Sequence, residues 1–365
     1  MQGRRRRRGD GSATIADVAA RAGVGAITVS RALRSPNLVS EKLRREIANA
    51  VRELNYIPDL NARALASTRT DVVGILVPSL SHTLFTDVLR GISDGVDGTT
   101  LQLQIGNTHF EPLEEERLVA GFLRQKPAAM IVSGTDQTPA CRLLLQRAGC
   151  PVVQIMDLCP DPIDLVIGFS HEQAGLLMTE HLIEQGYRHI AFLSGWLNAR
   201  SGGRLAGYRK ALAAAGLREP CRVHSMPPGT LAAAATEMEP SERLSLDFAH
   251  PSFGRHLFRR ALAEAPDLDA VFCNNDSLAL GVLFECQAQG RRVPEDMGVA
   301  GFNDLDFAEA AHPALTSVRT HRYRIGNAAI AAIQDKQHRT ERVVDVGVRL
   351  MCRHSTDRIG AFRDA

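Results

Sequence analysis

From Asp71 onward, short apolar runs alternate with helical stretches, and this alternation constrains the fold more than any other feature of the chain. Val72-Val73-Gly74-Ile75-Leu76-Val77 is a β-branched run of the kind found in strands covered on both faces, and a helical stretch from about Phe85 to Val96 follows it. Further strands are predicted over Gln102–Gly106, Met130–Ser133, Val152–Met156, Ile190–Ser194, Ala270–Cys273 and Val299–Phe302. Helices over Glu114–Arg124, Glu172–Gln185, Gly203–Ala215 and Asp276–Gln289 lie between them. Strands alternating with helices of about ten to fifteen residues build parallel α/β sheets that bind ligands at the carboxyl ends of their strands. Residues 71–365 suffice for two such sheets with a cleft between them. Ser225 to Asp247, with Met226-Pro227-Pro228-Gly229 and an alanine run, reads as an extended, poorly ordered surface loop.

The first seventy residues have a different texture. Thr14-Ile15-Ala16-Asp17 places a hydroxyl and a carboxylate at capping-box spacing, starting a helix that runs to about Arg21. Ala22-Gly23-Val24-Gly25 supplies a tight turn, and a second helix runs from Ala26 to about Leu33 with Val29 and Leu33 four residues apart. Ser35-Pro36-Asn37 stops it. A third helix begins near Ser40 and carries Leu43, Ile47, Val51 and Leu54 on one face. Three short helices, the first pair joined by a glycine-containing turn, describe a helix-turn-helix unit. Asp59 to Thr70 is rich in alanine and almost without bulky apolar residues apart from Leu60 and Leu65, so it reads as a linker with some helical propensity.

Charge follows the same division. Residues 1–70 hold 14 Lys and Arg against 6 Asp and Glu, a net of +8, and the remaining residues hold 29 against 35, a net of −6. A basic head on an acidic body suits a protein that meets a polyanion at one end. Arg4 to Arg8 contribute much of that charge, and a disordered tail or a misplaced start codon explains them equally well; without them the head is only +3. The run is followed by Gly9-Asp10-Gly11-Ser12 rather than a signal-peptide core, and no apolar stretch approaches the ~18 to 20 residues of a membrane span, so a cytoplasmic protein without membrane contact is expected. Seven cysteines without a C-x-x-C pair read as reduced core thiols. His82, His109, His171 and His321 lack metal-ligand spacing and are expected on the surface or in loops, so no metal and no cofactor is expected. Nucleophile-elbow and Walker A patterns are missing, and the glycines of Ser201-Gly202-Gly203-Arg204 come too late after their strand for a dinucleotide fingerprint, which argues against an enzyme.

The run TIADVAARAGVGAITVSRALRSPNLVSEKLRREIANAVRELNYIPDLNARALAS, residues 14–67, resembles the DNA-binding head and hinge of the LacI/GalR family of bacterial transcriptional repressors. IGFSHEQAG, GYRHIAFLSG, GYRKALAAAGL, DAVFCNNDSLALG and VPEDMGVAGFND are similar to that family's effector-binding core, so the resemblance spans about residues 13–350. PSLSHTLFTDVLRGI, EEERL, CPVVQIMD and NNDSLALGVLFECQ resemble the gluconate-responsive branch, which implies a sugar-acid effector, gluconate or a related acid. The implied fold is an all-α helix-turn-helix head plus a periplasmic-binding-protein-like core of two parallel-sheet α/β subdomains. The implied boundaries are a disordered basic tail over 1–12, the head over 13–58, a hinge helix over 59–70 and an effector-binding and dimerisation core over 71–365. Its subdomains are expected at about 71–167 plus 303–326 and 168–302 plus 327–365. A free sugar-binding protein of the periplasmic type, or a repressor answering to a neutral sugar, is the alternative that the core alone permits.

The resemblance also implies site residues. A homodimer would place two heads on a palindromic double-stranded operator, with the second helix of each in the major groove. Ala26 and Ile27 fall at the family's specificity positions and Arg31 at its base-contacting arginine, while Thr14, Thr28 and Ser30 fall at DNA-binding positions, the last two as phosphate donors. Ordinary helix filler is the competing account of Ala26 and Ile27. Gly25 departs from the pattern, which often has a capping Ser or Thr there. Leu65 aligns with the hinge leucine that relatives insert into the minor groove, flanked by Asn61 and Arg63; packing against the core is the other explanation. Effector contacts are expected from Ser79, Phe85, Asp157, Arg200, Phe248 and Asp276, with a helix N-cap as the structural alternative for Asp276.

Overall fold

The computed structural model describes residues 13–34, 38–56, 70–80, 83–195, 197–221, 250–335 and 341–360. The basic tail, the hinge residues Asn61, Arg63 and Leu65, the Ser225–Asp247 segment and Phe248 therefore lie outside the described residues. The chain forms two compact units divided between Thr70 and Asp71.

The first unit contains α1 (Ile15–Arg21), α2 (Ala26–Arg34) and α3 (Glu41–Glu53). Thr14 caps α1 through the reciprocal box with Asp17 that the spacing predicts: its hydroxyl accepts from the Asp17 amide at 3.4 Å, and its own amide donates to the Asp17 carboxylate at 2.8 Å. Gly23, at φ +66°, makes the turn that L-residues rarely adopt. Val18, Ala19, Val29, Ala32, Ile47 and Ala50 form the core, with Leu43, Val51 and Leu54 packed against it. Leu33 departs from the expected face: it is 40% exposed, because Val29 and Ala32, three residues apart, are the pair that turns inward.

The second unit is doubly wound. Its first sheet takes β1 (Val72–Val77), β2 (Gln102–Asn107), β3 (Ala129–Ser133), β4 (Val152–Ile155), β5 (Leu165–Gly168) and β10 (Val343–Asp345), in the spatial order β10-β5-β4-β3-β1-β2, every pair parallel. Between these strands run α4 (Thr83–Val96), α5 (Pro112–Arg124) and α6 (Pro139–Gln146). The second sheet is β6 (Ile190–Leu193), β7 (Ala270–Cys273) and β8 (Gly298–Ala300), also parallel. It is accompanied by α7 (His171–Glu184), α8 (Ala199–Ala214), α9 (Pro251–Glu264) and α10 (Asp276–Ala288). After α11 (Phe307–Ala310), β9 (Ser317–Arg319) pairs antiparallel with β11 (Arg349–Met351), and α12 (Arg322–Gln334) lies between them in sequence. Strand pleating sets the layers. Val73, Ile75 and Val77 of β1 face a core continuous with Phe192 and Phe272 of the second sheet, whereas Leu76 faces a separate cluster with Val119, Phe122 and Met130.

The subdomain boundary expected at residue 326 is corrected by this topology. α12 packs on α4, β4 and β5, and β10 hydrogen-bonds to β5, so α12 and β10 belong with the first sheet rather than the second. With β9 and β11 bridged to the edge of the second sheet at Ala300 and Asn303, the chain passes between the two sheets three times: after β5, after β9, and between β10 and β11. β10 escapes sequence reading because it is a three-residue edge strand with only Val343 and Val344 apolar. Among the described residues no helix is long and apolar enough to cross a membrane.

Candidate functional site

In the first unit, α2 presents the residues expected to read DNA. Val29 is fully buried and fixes the helix's rotation, which leaves Ala26, Ile27 and Arg31 on the solvent side with Thr28 and Ser30 half-buried. Ile27 is 77% exposed, and Ile27 and Arg31 are four residues apart on one exposed face. Gly25 accepts from the amides of Thr28 and Val29 at the start of α2, and no atom lies within 4 Å of where its Cβ would stand. Thr14 is committed to capping, its hydroxyl also meeting Asp17 Oδ2 at 2.7 Å.

In the second unit, the carboxyl ends of β3 and β4 supply Ser133 and Asp157, and the first turn of α8 faces them from the other sheet. That turn is held by Asn198, whose side chain accepts from the Ser201 amide at 2.9 Å while Ser201 Oγ accepts from the Asn198 amide. Arg200 is thereby aimed across the cleft: its Nε donates to Asp157 Oδ2 at 2.6 Å and its Nη2 to Ser133 Oγ at 2.9 Å. The other carboxylate oxygen of Asp157 lies 3.0 Å from His171 Nε2. Burial opposes the charge on Asp157, but Arg200 and His171 outweigh it and hold the carboxyl down at about 2.

One turn beyond Arg200, Arg204 is buried. Its Nε donates to His171 Nδ1 at 3.2 Å, its Nη1 donates to the Asn274 carbonyl and side-chain oxygens at 2.6 and 2.7 Å, and its guanidinium stacks 3.8 Å from the centroid of Phe302. Burial and then the neighbouring Arg200 charge lower its pKa to about 9, which still leaves it cationic at neutral pH. The close crossing of α7 and α8 that delivers both arginines depends on glycine. A Cβ on Gly207 would overlap the Glu172 carbonyl oxygen, and one on Gly175 the Arg204 carbonyl oxygen. The open side of the cleft beside Arg200 is lined by Pro78, Thr108, Phe110, Glu111, Pro112, Glu115, Ser133, Asp136 and Asn198. A guanidinium in the wall of the cleft with carboxylates beside it suits a ligand with an anionic group and several hydroxyls.

The structure thus brings Asp157 and Arg200 together, and it engages Phe85 and Asp276 elsewhere. Ser79 is buried at the end of β1, and Phe85 packs in the core with Val77 and Val88 rather than facing the cleft. Asp276 is fully buried: Oδ1 accepts from Ser317 Oγ at 2.6 Å and Oδ2 from the Leu305 amide at 2.7 Å. The N-cap of α10 is Asn275, whose side chain accepts from the Leu278 amide, so Asp276 is the first residue inside the helix. Burial pushes its carboxyl up to about 7 against those two hydrogen bonds. Between about pH 4 and 7 the folded protein therefore keeps a proton that the unfolded chain has released, and Asp276 erodes stability as pH rises through that window. Asp276→Asn is expected to remove this erosion, so that thermal melts of variant and parent diverge in the variant's favour from pH 4 to pH 7; a difference constant with pH would refute it.

Sequence reasoning missed Arg204, Asn274 and Phe302, and it misplaced His171, which is buried between Asp157 and Arg204 rather than on the surface. The four-residue spacing of Arg200 and Arg204 on one helix was the available signal for the second guanidinium. Among the described residues no group of three His, Cys, Asp or Glu side chains is placed to hold a metal ion.

A three-helix head with an exposed reading helix, joined in sequence to a two-sheet core with a charged cleft, defines the class of ligand-responsive DNA-binding regulators. Residues 14–59 match the family described as bacterial regulatory proteins, lacI family; residues 70–238 match periplasmic binding proteins and sugar binding domain of LacI family; and residues 179–356 match a periplasmic binding protein-like domain. The HTH-type transcriptional regulator GntR of Pseudomonas aeruginosa is 36% identical over 351 residues, covering 95% of this chain and 96% of that protein. A LacI family transcriptional regulator from Silicibacter pomeroyi has a similar solved structure, with a TM-score of 0.81 and 30% identity over 95% of this chain and all of that one. The solved structure of transcription regulator GntR from Chromobacterium violaceum matches at a TM-score of 0.70 with 36% identity, over 78% of this chain and 99% of that one. The chain belongs to the LacI family of bacterial transcriptional regulators and is a DNA-binding transcription regulator.

Proposed function

We propose that this regulator is a cytoplasmic, non-enzymatic repressor whose homodimer binds a palindromic operator and releases it when a sugar acid, gluconate or a close relative, enters the cleft of the core. The observation that carries the effector class is Arg200 on the wall of that cleft, with a second guanidinium, Arg204, buried one helical turn behind it. Asp157, Ser79 and the carboxylates at the mouth would hold hydroxyls, with Phe248 as a further contact. At the operator, Ala26 and Ile27 would meet thymine methyls and Arg31 a guanine, Thr28 and Ser30 would donate to phosphates, and Thr14 would lie at the DNA surface. Leu65 would wedge into the minor groove with Asn61 and Arg63 alongside.

The test is a gel shift on the chain's own upstream region with and without gluconate. A specific complex that gluconate dissolves supports the proposal, and a complex indifferent to sugar acids overturns the effector assignment. One observation favours a neutral sugar instead: Asp157 already neutralises Arg200. Titrating glucose beside gluconate in the same assay separates the two. At the DNA, Arg31→Ala is expected to lose a bidentate base contact of about 1 to 3 kcal/mol and to narrow the gap between operator and random DNA at fixed salt. Unchanged discrimination would remove Arg31 from the reading set.

A further inference from the structure

We infer that His171 is a positioning residue which, as the neutral tautomer protonated on Nε2, sets the two walls of the cleft relative to each other by holding Asp157 with one ring nitrogen and Arg204 with the other. Ligand geometry at this site is then governed by a side chain that need not touch the ligand. The inference rests on the sugar-acid reading of the cleft for its affinity test but not for its tautomer test.

The hydrogen-bond directions leave one assignment. A guanidinium only donates, so Arg204 Nε at 3.2 Å requires a lone pair on His171 Nδ1. The ring proton therefore sits on Nε2, which faces two acceptors, Asp157 Oδ1 at 3.0 Å and the Met156 carbonyl oxygen at 3.1 Å. An imidazolium would turn an N–H against the Arg204 N–H and add a second cation beside it. Burial agrees, pulling the imidazole pKa down to about 4 even though Asp157 favours its charged form. The charged groups around the ring are Asp157, Arg204 and, one residue further, Arg200.

Place in the fold gives the contact its meaning. Asp157 follows β4 of the first sheet, Arg204 lies on α8 beside the second, and His171 opens α7 where the chain first passes from one sheet to the other. The ring is fixed edge-on to Phe169, with centroids 4.5 Å apart, and Gly203 lets α8 close onto its Cβ. Arg200, Asp157, His171 and Arg204 thus form one unbroken relay of alternating donors and acceptors across the cleft. A ligand carboxylate that draws Arg204 toward itself loosens its hold on Nδ1, and the change passes through the ring to the Asp157 carboxylate that clamps Arg200.

Two measurements on the full chain test this. Nitrogen NMR of histidine-labelled protein, with His171 assigned by its loss in His171→Gln, should give an unprotonated Nδ1 and a protonated Nε2 that do not titrate between about pH 5.5 and 8. The opposite tautomer, or titration in that range, overturns the inference whether or not gluconate binds. Calorimetry with gluconate should then rank the variants. His171→Phe, which fills the volume but offers neither nitrogen, should weaken binding about ten- to a hundredfold, while His171→Asn, which can keep an acceptor near Nδ1, should recover most of the loss. Equal affinity for His171→Phe and parent overturns the inference, as does equal loss in both variants with matching falls in melting temperature, which marks a packing role alone. A parent that ignores gluconate while the tautomer stands as described defeats the sugar-acid reading and leaves the positioning role intact.

Discussion

Arg200→Ala is expected to abolish the response to gluconate while leaving operator binding in place. Among the described residues the guanidinium is the one cationic group that bridges the cleft directly from α8 to the ends of β3 and β4, through Asp157 and Ser133, with both members of the ion pair largely buried. Removing one partner of such a pair costs about 2 to 5 kcal/mol in binding, much of it from leaving the other charge without compensation. In the variant, Asp157 would face an incoming carboxylate with His171 as its remaining ring partner, and a neutral imidazole cannot offset two anions. Calorimetry of parent and variant with gluconate, beside gel shifts without it, checks both halves. Unaltered gluconate binding would remove Arg200 from the site.

Gly207→Ala should have the largest effect on stability of any single methyl added near the site. The new Cβ would overlap the Glu172 carbonyl oxygen, which is backbone and cannot rotate away, so α7 and α8 must separate. Overpacking of a fitted contact costs about 1 to 3 kcal/mol and more where the neighbour is backbone. The calorimetric transition of the core should fall by several degrees, and gluconate affinity should fall with it, because the same separation pulls Arg204 from His171. An unchanged transition would mean that the helices do not cross this closely.

How far these features could be read from the chain depended on how local their causes are. β1 declares itself because six consecutive residues carry its pattern, whereas β5 offers only Leu165, Val166 and Ile167 between Asp164 and Gly168 and borrows its strand character from β4. Arg200 and Asp157 were accessible because each follows a legible strand, and strand ends are where ligands gather in such folds. Phe85 follows a strand too, but the rotation of α4 turns it into the core beside Val88 and Ile92, and no local pattern fixes that rotation. His171 is the clearest loss. A histidine without metal spacing resembles a surface residue until α8, more than thirty positions later, closes over it at Gly203, and Arg204 arrives with that helix.

The three passages of the chain between the sheets limit which motions the effector can use. Two bodies joined by one link can tumble and slide; joined by three short links side by side, they cannot slide without stretching at least one of them, and bending about the line of links is the soft mode that remains. Ligand binding in the cleft then has a single mechanical coordinate on which to act. A near-complete switch between its two ends requires about 5.5 kcal/mol of differential affinity, which two cleft sites in a dimer would divide between them. In such a device, affinity for the ligand and the angle between the lobes are one quantity measured in two units.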